Sequence, residues 1–354
     1  MKSDADIGRA LQDEVRAAAA SHTALAIAGG GTKTFYTGTL QGKPLTVTGH
    51  RGIVSYEPTE LVVTARAGTP LAEIEAALSE KWQMLGFEPP HFGEAATLGG
   101  TIACGFSGPR RPYAGSARDF VLGTKIINGK GEILKFGGEV MKNVAGYDVS
   151  RLMVGALGTL GVLLEISLKV LPKPAKEVTL SFETPADKAI ATMNAWAGRP
   201  LPLSAACHLD NTLYIRLSGT EPGVRAASTK LGGAVVENGD GFWRELREHQ
   251  RNFFHNDIPL WRLSVPPATA PLNLPGKWLI DWGGAQRWIK SDAPASAIQQ
   301  EAEKAGGHAT LFRHAKQNGA TFHPLPARLA SLHQNLRQAF DPDEIMNRRT
   351  VGVI

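Results

Sequence analysis

The stretch Ala95-Ala96-Thr97-Leu98-Gly99-Gly100-Thr101-Ile102-Ala103-Cys104-Gly105-Phe106-Ser107-Gly108 packs glycines and small residues too closely for an ordinary helix or strand. Without a Cβ, glycine lets the backbone approach a ligand and leaves amide groups uncovered, which suits a polyanionic or planar cofactor. A second cluster, Ala28-Gly29-Gly30-Gly31-Thr32, lies upstream and directly follows the apolar run Leu25-Ala26-Ile27. Two such loops in one segment predict a large phosphate-bearing cofactor gripped at two places. For either loop alone, plain turn chemistry explains the glycines equally well.

The composition of the whole 354-residue chain is that of an ordinary globular protein, with 43% hydrophobic and 20% charged residues. Its length predicts two domains. A net charge of +5 suits anionic ligands, but no Lys/Arg run is dense enough to predict nucleic acid binding. Cys104 and Cys207 are far apart and lack metal spacing, so free thiols in a reducing compartment are expected. The opening Met1-Lys2-Ser3-Asp4-Ala5-Asp6 is too acidic for a secretory signal, and the apolar run between Arg151 and Glu165 is too short for a membrane span. The expectation is a cytoplasmic protein without an integral membrane segment, peripheral to the inner membrane only through partners.

Ser3 is a candidate N-cap for a helix with Ile7, Leu11 and Val15 on one stripe. Strands are predicted at 25–28, 53–56, 61–66, 121–127, 132–136 and 161–170, with Asn128-Gly129 as a hairpin turn. Pro70 opens a helix that turns Leu71, Ile74 and Leu78 inward. Leu171-Pro172-Lys173-Pro174 reads as a domain boundary, because two prolines disfavour regular structure across it. Beyond it the order strand, helix, strand, strand, helix, strand over 178–236 is that of a ferredoxin-like unit, with Asp210-Asn211 as its tight hairpin. Later strands at 262–265 and 278–282 and helices near 295–305 and 326–340 follow. No sequence repeat is visible.

Familiar phosphate motifs fail on spacing. A Walker loop needs Gly immediately before Lys-Ser/Thr, and Lys33-Thr34 follows Thr32. A Rossmann fingerprint starting at Gly29 needs Gly where Thr34 stands. Gly155, Gly158 and Gly161 are also wrongly spaced.

What remains is an ordered series. It runs Gly29-Gly30-Gly31-Thr32, Glu57-Pro58-Thr59-Glu60-Leu61-Val62-Val63, Ala67-Gly68-Thr69-Pro70-Leu71, Thr97-Leu98-Gly99-Gly100, Arg118-Asp119-Phe120-Val121-Leu122-Gly123 and Gly155-Ala156-Leu157-Gly158-Thr159-Leu160-Gly161-Val162. The series resembles the FAD-binding fold of the vanillyl-alcohol oxidase superfamily, the PCMH type. Within it, Lys142-Asn143-Val144-Ala145-Gly146-Tyr147-Asp148, Ile280-Asp281-Trp282-Gly283-Gly284-Ala285-Gln286-Arg287-Trp288, Ala309-Thr310-Leu311-Phe312-Arg313 and Phe340-Asp341-Pro342 are similar to the FAD-binding subunit family of bacterial glycolate oxidases.

The resemblance implies an α+β fold: a PCMH-type two-part FAD-binding domain over 1–172, a smaller ferredoxin-like cap over 177–310, and a segment 311–354 returning to the FAD domain. It assigns the pyrophosphate to Gly29, Gly30, Gly31 and Thr32, with Lys33 as an added charge or a solvated surface lysine. It runs Thr97, Leu98, Gly99 and Gly100 alongside pyrophosphate and flavin, with Ala103, Ser107 and Gly108 close by. Gly161 and Val162 fall at an edge of the cofactor, or Val162 in the core. Lys142 and Asn143, with Tyr147 and Asp148, face the flavin ring or form a turn that Asp148 caps; Arg118-Asp119 reads as a structural ion pair or, second to that, a cofactor contact. Asn347 is followed by Arg348-Arg349 where the family has Pro-Gly, which puts its contact in doubt.

The implied function is that of a non-covalent FAD subunit of a 2-hydroxy acid oxidase, acting beside a second FAD-containing catalytic subunit and an iron–sulfur subunit. The alternative is an assembly subunit, with substrate oxidation on the partner. No catalytic residue is identified. The histidine-rich metal motif of related dehydrogenases is not found, since Ala309–Arg313 between His308 and His314 holds neither Gly nor Asp, and no metal site is predicted.

Overall fold

The computed structural model describes residues 5–38, 40–138, 148–314 and 321–349. Ser3, Lys142, Asn143 and Tyr147 therefore lie outside the described residues. The chain divides into two compact units, one formed by 1–107, 115–172 and 324–354, the other by 108–114 and 173–323.

In the first unit, Leu11, Val15 and Ala18 fall one above another on helix Gly8–Ala20 and are buried. They meet Leu25, Leu45, Val47, Val162, Leu164, Ile345 and Met346 in one core, so the chain's two ends stabilise the same cluster. Burying each Leu or Val removes about 1.5–3 kcal/mol of exposed apolar cost. Strand Leu25–Ala28 pairs in parallel with Lys43–Thr46, and Met346 bridges Leu25 from the other side. A five-stranded antiparallel sheet runs Ile53–Glu57, Val62–Arg66, Val162–Lys169, Val121–Ile127, Ile133–Gly137. Helix Leu71–Glu80 buries Leu71, Ile74 and Leu78.

Two local expectations change. Asn128-Gly129 is not a two-residue turn: Ile127 pairs with Ile133, and the left-handed residue is Gly131 at φ 72°. The Asn128 side chain organises the loop by accepting from the Lys130 and Glu132 amides. Gly129 serves packing instead, since a Cβ there would sit 2.4 Å from an Asp341 carboxylate oxygen. The Asp148 side chain accepts no amide of the short 3-10 helix Val149–Met153; it holds the Ser150 hydroxyl at 2.8 Å and Arg151 at 2.8 Å.

The second unit is built on an eight-stranded sheet. One half runs Ala234–Val235, Lys176–Glu183, Thr212–Gly219, Leu203–Leu209, which in chain order is fourth, first, third, second, the ferredoxin-like arrangement. Asp210 and Asn211 turn its hairpin with φ 49° and 57°, the left-handed pair of a tight type I′ turn. The other half, read inward from the opposite edge, runs His308–Arg313, Leu260–Ser264, Gln286–Lys290, Lys277–Asp281, again fourth, first, third, second. Leu203–Leu209 joins the halves by pairing with Lys277–Asp281. The second half has no helix between its first two strands, where Pro266, Pro267, Pro271 and Pro275 would break one. The duplication thus lives in topology, without a sequence repeat to announce it. Strand His308–Arg313 belongs to this sheet, so the segment rejoining the first unit begins at 324, later than the 311 expected.

Candidate cofactor site

Three glycine loops of the first unit converge. Gly29 lies so close to Thr97 that a Cβ would be 2.5 Å from the threonine Oγ1, and one on Gly30 would be 1.5 Å from the Ala95 carbonyl oxygen. The first loop therefore lies directly on the second. Gly155 and Leu157 donate their amides to the carbonyls of Ile102 (3.0 Å) and Ala103 (2.9 Å), which binds the third loop to the second. Asn347, 4% exposed, ties the third loop to the first. Its Oδ1 accepts from the Ile27 amide at 2.6 Å, and its Nδ2 donates to the Leu157 carbonyl at 2.8 Å.

The loops differ in what their amides do. Among the described residues, none accepts a hydrogen bond from the amides of Gly29, Gly30, Gly31 or Thr32. A Cβ on Gly31, at φ 72°, would meet nothing within 4 Å. Unsatisfied donors facing open space are what an anion needs. The second loop is instead a helix, Leu98–Cys104, capped by Thr97. The Leu98 amide donates to Thr69, Gly99 to Ala67, Gly100 to the Thr97 hydroxyl and Thr101 to the Thr97 carbonyl. Those donors are spent inside the fold, so Leu98, Gly99 and Gly100 form a floor for the first loop. Gly99 is required there, since its Cβ would fall 2.8 Å from that of Ala67.

The remaining expected residues separate clearly. Lys33 is 5% exposed and no solvated surface lysine: its Nζ donates to the His91 carbonyl at 3.1 Å and the Thr32 hydroxyl at 3.3 Å. That places a buried positive charge behind the open amides. Ala103 is half-buried and joins the third loop through its carbonyl. The Ser107 hydroxyl accepts the Ala117 amide at 2.9 Å, while Gly108 belongs to the second unit. Gly161 keeps φ 144° with the Ile127 carbonyl 2.5 Å from its would-be Cβ. Val162 is fully buried in the core and presents no side chain to a ligand. Arg118 donates to the Val154 carbonyl, and Asp119 closes a capping box with Ser116.

Sequence reasoning left Gly155, Gly158 and Asn347 out of the site. The available signal was in the glycines: Gly155 and Gly158 have φ 84° and 76°, and a Cβ on Gly158 would strike the Asn347 amide. His91, the histidine nearest the loops in sequence, is bonded through Nε2 to Glu75 at 3.0 Å. His308 and His314 stand at opposite ends of strand His308–Arg313, about 20 Å apart along an extended chain, too far to share a metal. Cys207 is a buried free thiol.

Residues 9–137 match the family model described as an FAD binding domain. Glycolate oxidase subunit GlcE of Escherichia coli (strain K12) is 52% identical over 347 residues, covering 98% of this chain and 98% of that protein. D-lactate dehydrogenase of Anaerostipes hadrus is 36% identical over 140 residues, covering 39% of this chain and 29% of that protein. Glycolate oxidase subunit GlcD of Bacillus subtilis (strain 168) is 34% identical over 128 residues, covering 36% and 27%. A solved structure of alkyldihydroxyacetonephosphate synthase shares the fold at a TM-score of 0.67 and 16% identity, over 96% of this chain and 74% of that one.

Proposed function

This chain belongs to the glycolate oxidase subunit GlcE family, and from that premise we propose that it is the FAD-binding subunit of a multi-subunit glycolate oxidase. A second flavoprotein subunit and an iron–sulfur subunit complete that assembly. Glycolate, a small 2-hydroxy acid, is its substrate and glyoxylate its product. FAD supplies the acceptor for the hydride that leaves the hydroxyl-bearing carbon, and a base takes the hydroxyl proton. This chain acts only within the complex. Its PCMH-type domain spans 1–172 with the returning C-terminal segment, and its cap is the ferredoxin-like remainder.

One observation carries the reading: four consecutive amides, Gly29 to Thr32, without acceptors among the described residues and backed by buried Lys33. That arrangement fits a diphosphate, because fixed N–H dipoles and one cation stabilise it without solvent reorganisation. Asn347 holds the loops together, the Gly99 helix supplies the floor, and Gly161 lets its strand end pass close to the Ile127 carbonyl. FAD is held non-covalently, His91 being engaged by Glu75. Among the described residues no helix is long and apolar enough to cross a membrane; the proposed location is the cytoplasm, reaching the inner membrane only through partners.

The test is an absorption spectrum of the purified chain followed by acid precipitation. A yellow protein that releases its chromophore is expected. Glycolate is then added anaerobically. Bleaching of the isolated chain means that it oxidises substrate itself; bleaching only after a partner flavoprotein is added means that its FAD relays electrons or serves assembly. A colourless chain that takes up no FAD contradicts the reading.

A further inference from the structure

The closing helix Ala327–Phe340 belongs to the first unit and takes no part in the site above. The described residues do little to stabilise it. None of its 14 residues is buried, no side chain caps its N-terminus, and its first turn holds no acidic residue. A helix of this length is marginal in water by itself and draws most of its stability from packing one apolar face. Its C-terminal end is tied down. The Phe340 ring lies 6.1 Å from that of Phe136, and the next residue, buried Asp341, accepts the Ile345 and Met346 amides at 3.0 Å and 2.8 Å.

The N-terminal half is different. Leu329, Leu332 and Leu336 recur at i, i+3 and i+7, which places them on one face. Leu336 is half-buried, but Leu329 is 41% exposed and Leu332 57%. At about 3.6 residues per turn, Arg328 borders this stripe on one side and Arg337 on the other. The surrounding sequence is one-sided in charge. From Lys304 to Phe340 it holds Lys304, Arg313, Lys316, Arg328 and Arg337 without one Asp or Glu, and these five cations equal the net charge of +5 of the whole chain. An apolar stripe with a basic border is complementary to an apolar surface with an acidic one.

We infer that helix Ala327–Phe340 is the docking surface for a partner subunit of the oxidase, which receives the leucine stripe in an apolar groove rimmed by carboxylates. The inference rests on the multi-subunit reading above. A second copy of this chain fits less well, since two such faces would set Arg328 and Arg337 against their own kind. A lipid surface also fits less well, because two exposed leucines offer a bilayer little to bury. A groove instead surrounds the stripe and excludes water from its centre.

The experiment co-expresses the tagged full chain with the other oxidase subunits and measures their recovery and the Kd of the assembly. Leu332→Glu, which loses apolar contact and sets a carboxylate against the acidic rim, is expected to weaken assembly by about tenfold or more. Arg328→Glu is expected to weaken it about three- to tenfold and to make it less sensitive to salt, since rim charges are screened. Val235→Glu is the control: Val235 is 64% exposed on the second unit, and a glutamate there is expected to leave the Kd within about twofold. The melting temperature and FAD content of each isolated variant are expected to match wild type, because every altered side chain is exposed. Leu332→Glu and Arg328→Glu both assembling like wild type would overturn the inference, as would Val235→Glu weakening assembly as much as Leu332→Glu. So would a dimer of the isolated chain, or its binding to anionic phospholipid vesicles, that Leu332→Glu abolishes. A wild-type chain that recovers no oxidase subunit would instead remove the multi-subunit reading, and the inference with it.

Discussion

Gly31 in the first unit and Gly232 in the second share a positive φ, 72° and 69°, and a methyl on either would meet nothing within 4 Å. Gly232 ends helix Glu221–Leu231, and its amide donates to the Ser228 carbonyl. Gly31 lies in a loop whose amides find no acceptor among the described residues. A positive φ thus finishes a helix in one place and stands in a loop of unpaired donors in the other. A glycine's conformation does not identify a binding loop; the unsatisfied partners beside it do.

The contrast between an open loop and a closed scaffold is broken most severely at Gly30. Gly30→Ala places a methyl 1.5 Å from the Ala95 carbonyl oxygen, which neither backbone can accommodate without separating the two loops. FAD binding is expected to fall by more than 100-fold, on the order of 3 kcal/mol, as read by titration. Asn347→Ala comes next. It strands the buried Leu157 carbonyl and the Ile27 amide, at about 2–4 kcal/mol of stability in denaturant melts.

Acid separates the units in the same way. Burial, then the charges of Arg313 and Arg262, hold His249 well below its usual value, where it stacks on Phe254 at 3.8 Å and meets Trp288 and Phe312. Burial likewise lowers His50 in the first unit. The unfolded chain therefore binds more protons than the folded one below about pH 6.5. Stability is fully present above that pH and falls as pH drops through it, by up to about 1.4 kcal/mol per pH unit for His249. Asp341, held above the usual carboxylate range by burial, partly offsets this in the first unit, because acid relieves its cost. Melts from pH 7.5 to 5.5 are expected to lose the second unit first, and His249→Leu is expected to flatten its slope.

The smallest effect sharpens the opening comparison. Gly31→Ala and Gly232→Ala each cost about 1–3 kcal/mol of stability from the positive φ alone. Only Gly31→Ala is expected to weaken FAD, since its methyl enters the space in front of the donors. Equal FAD affinity in the two variants would break the distinction.

Much of this was legible in the sequence because it is local. The Ile7, Leu11, Val15 stripe marks its helix, Asp210-Asn211 its hairpin, and the triple glycine its loop. What was not legible depends on distant partners. Leu98 to Gly100 looked like open amides until Ala67, Thr69 and Thr97 took them. Lys33 looked solvated until the His91 carbonyl covered it. Gly129 looked like a turn residue, although what forbids a side chain there is Asp341, more than two hundred positions away. The second ferredoxin-like half escaped notice because prolines replace its first helix, so the alternation of strand and helix was missing.

The most direct test of the central claim is amide hydrogen exchange of the full chain with and without FAD. Peptides covering Gly29 to Thr32 are expected to gain at least tenfold protection, while the helix end at Gly232 stays unchanged. Tight FAD binding that leaves exchange at Gly29 to Thr32 unaltered would contradict it.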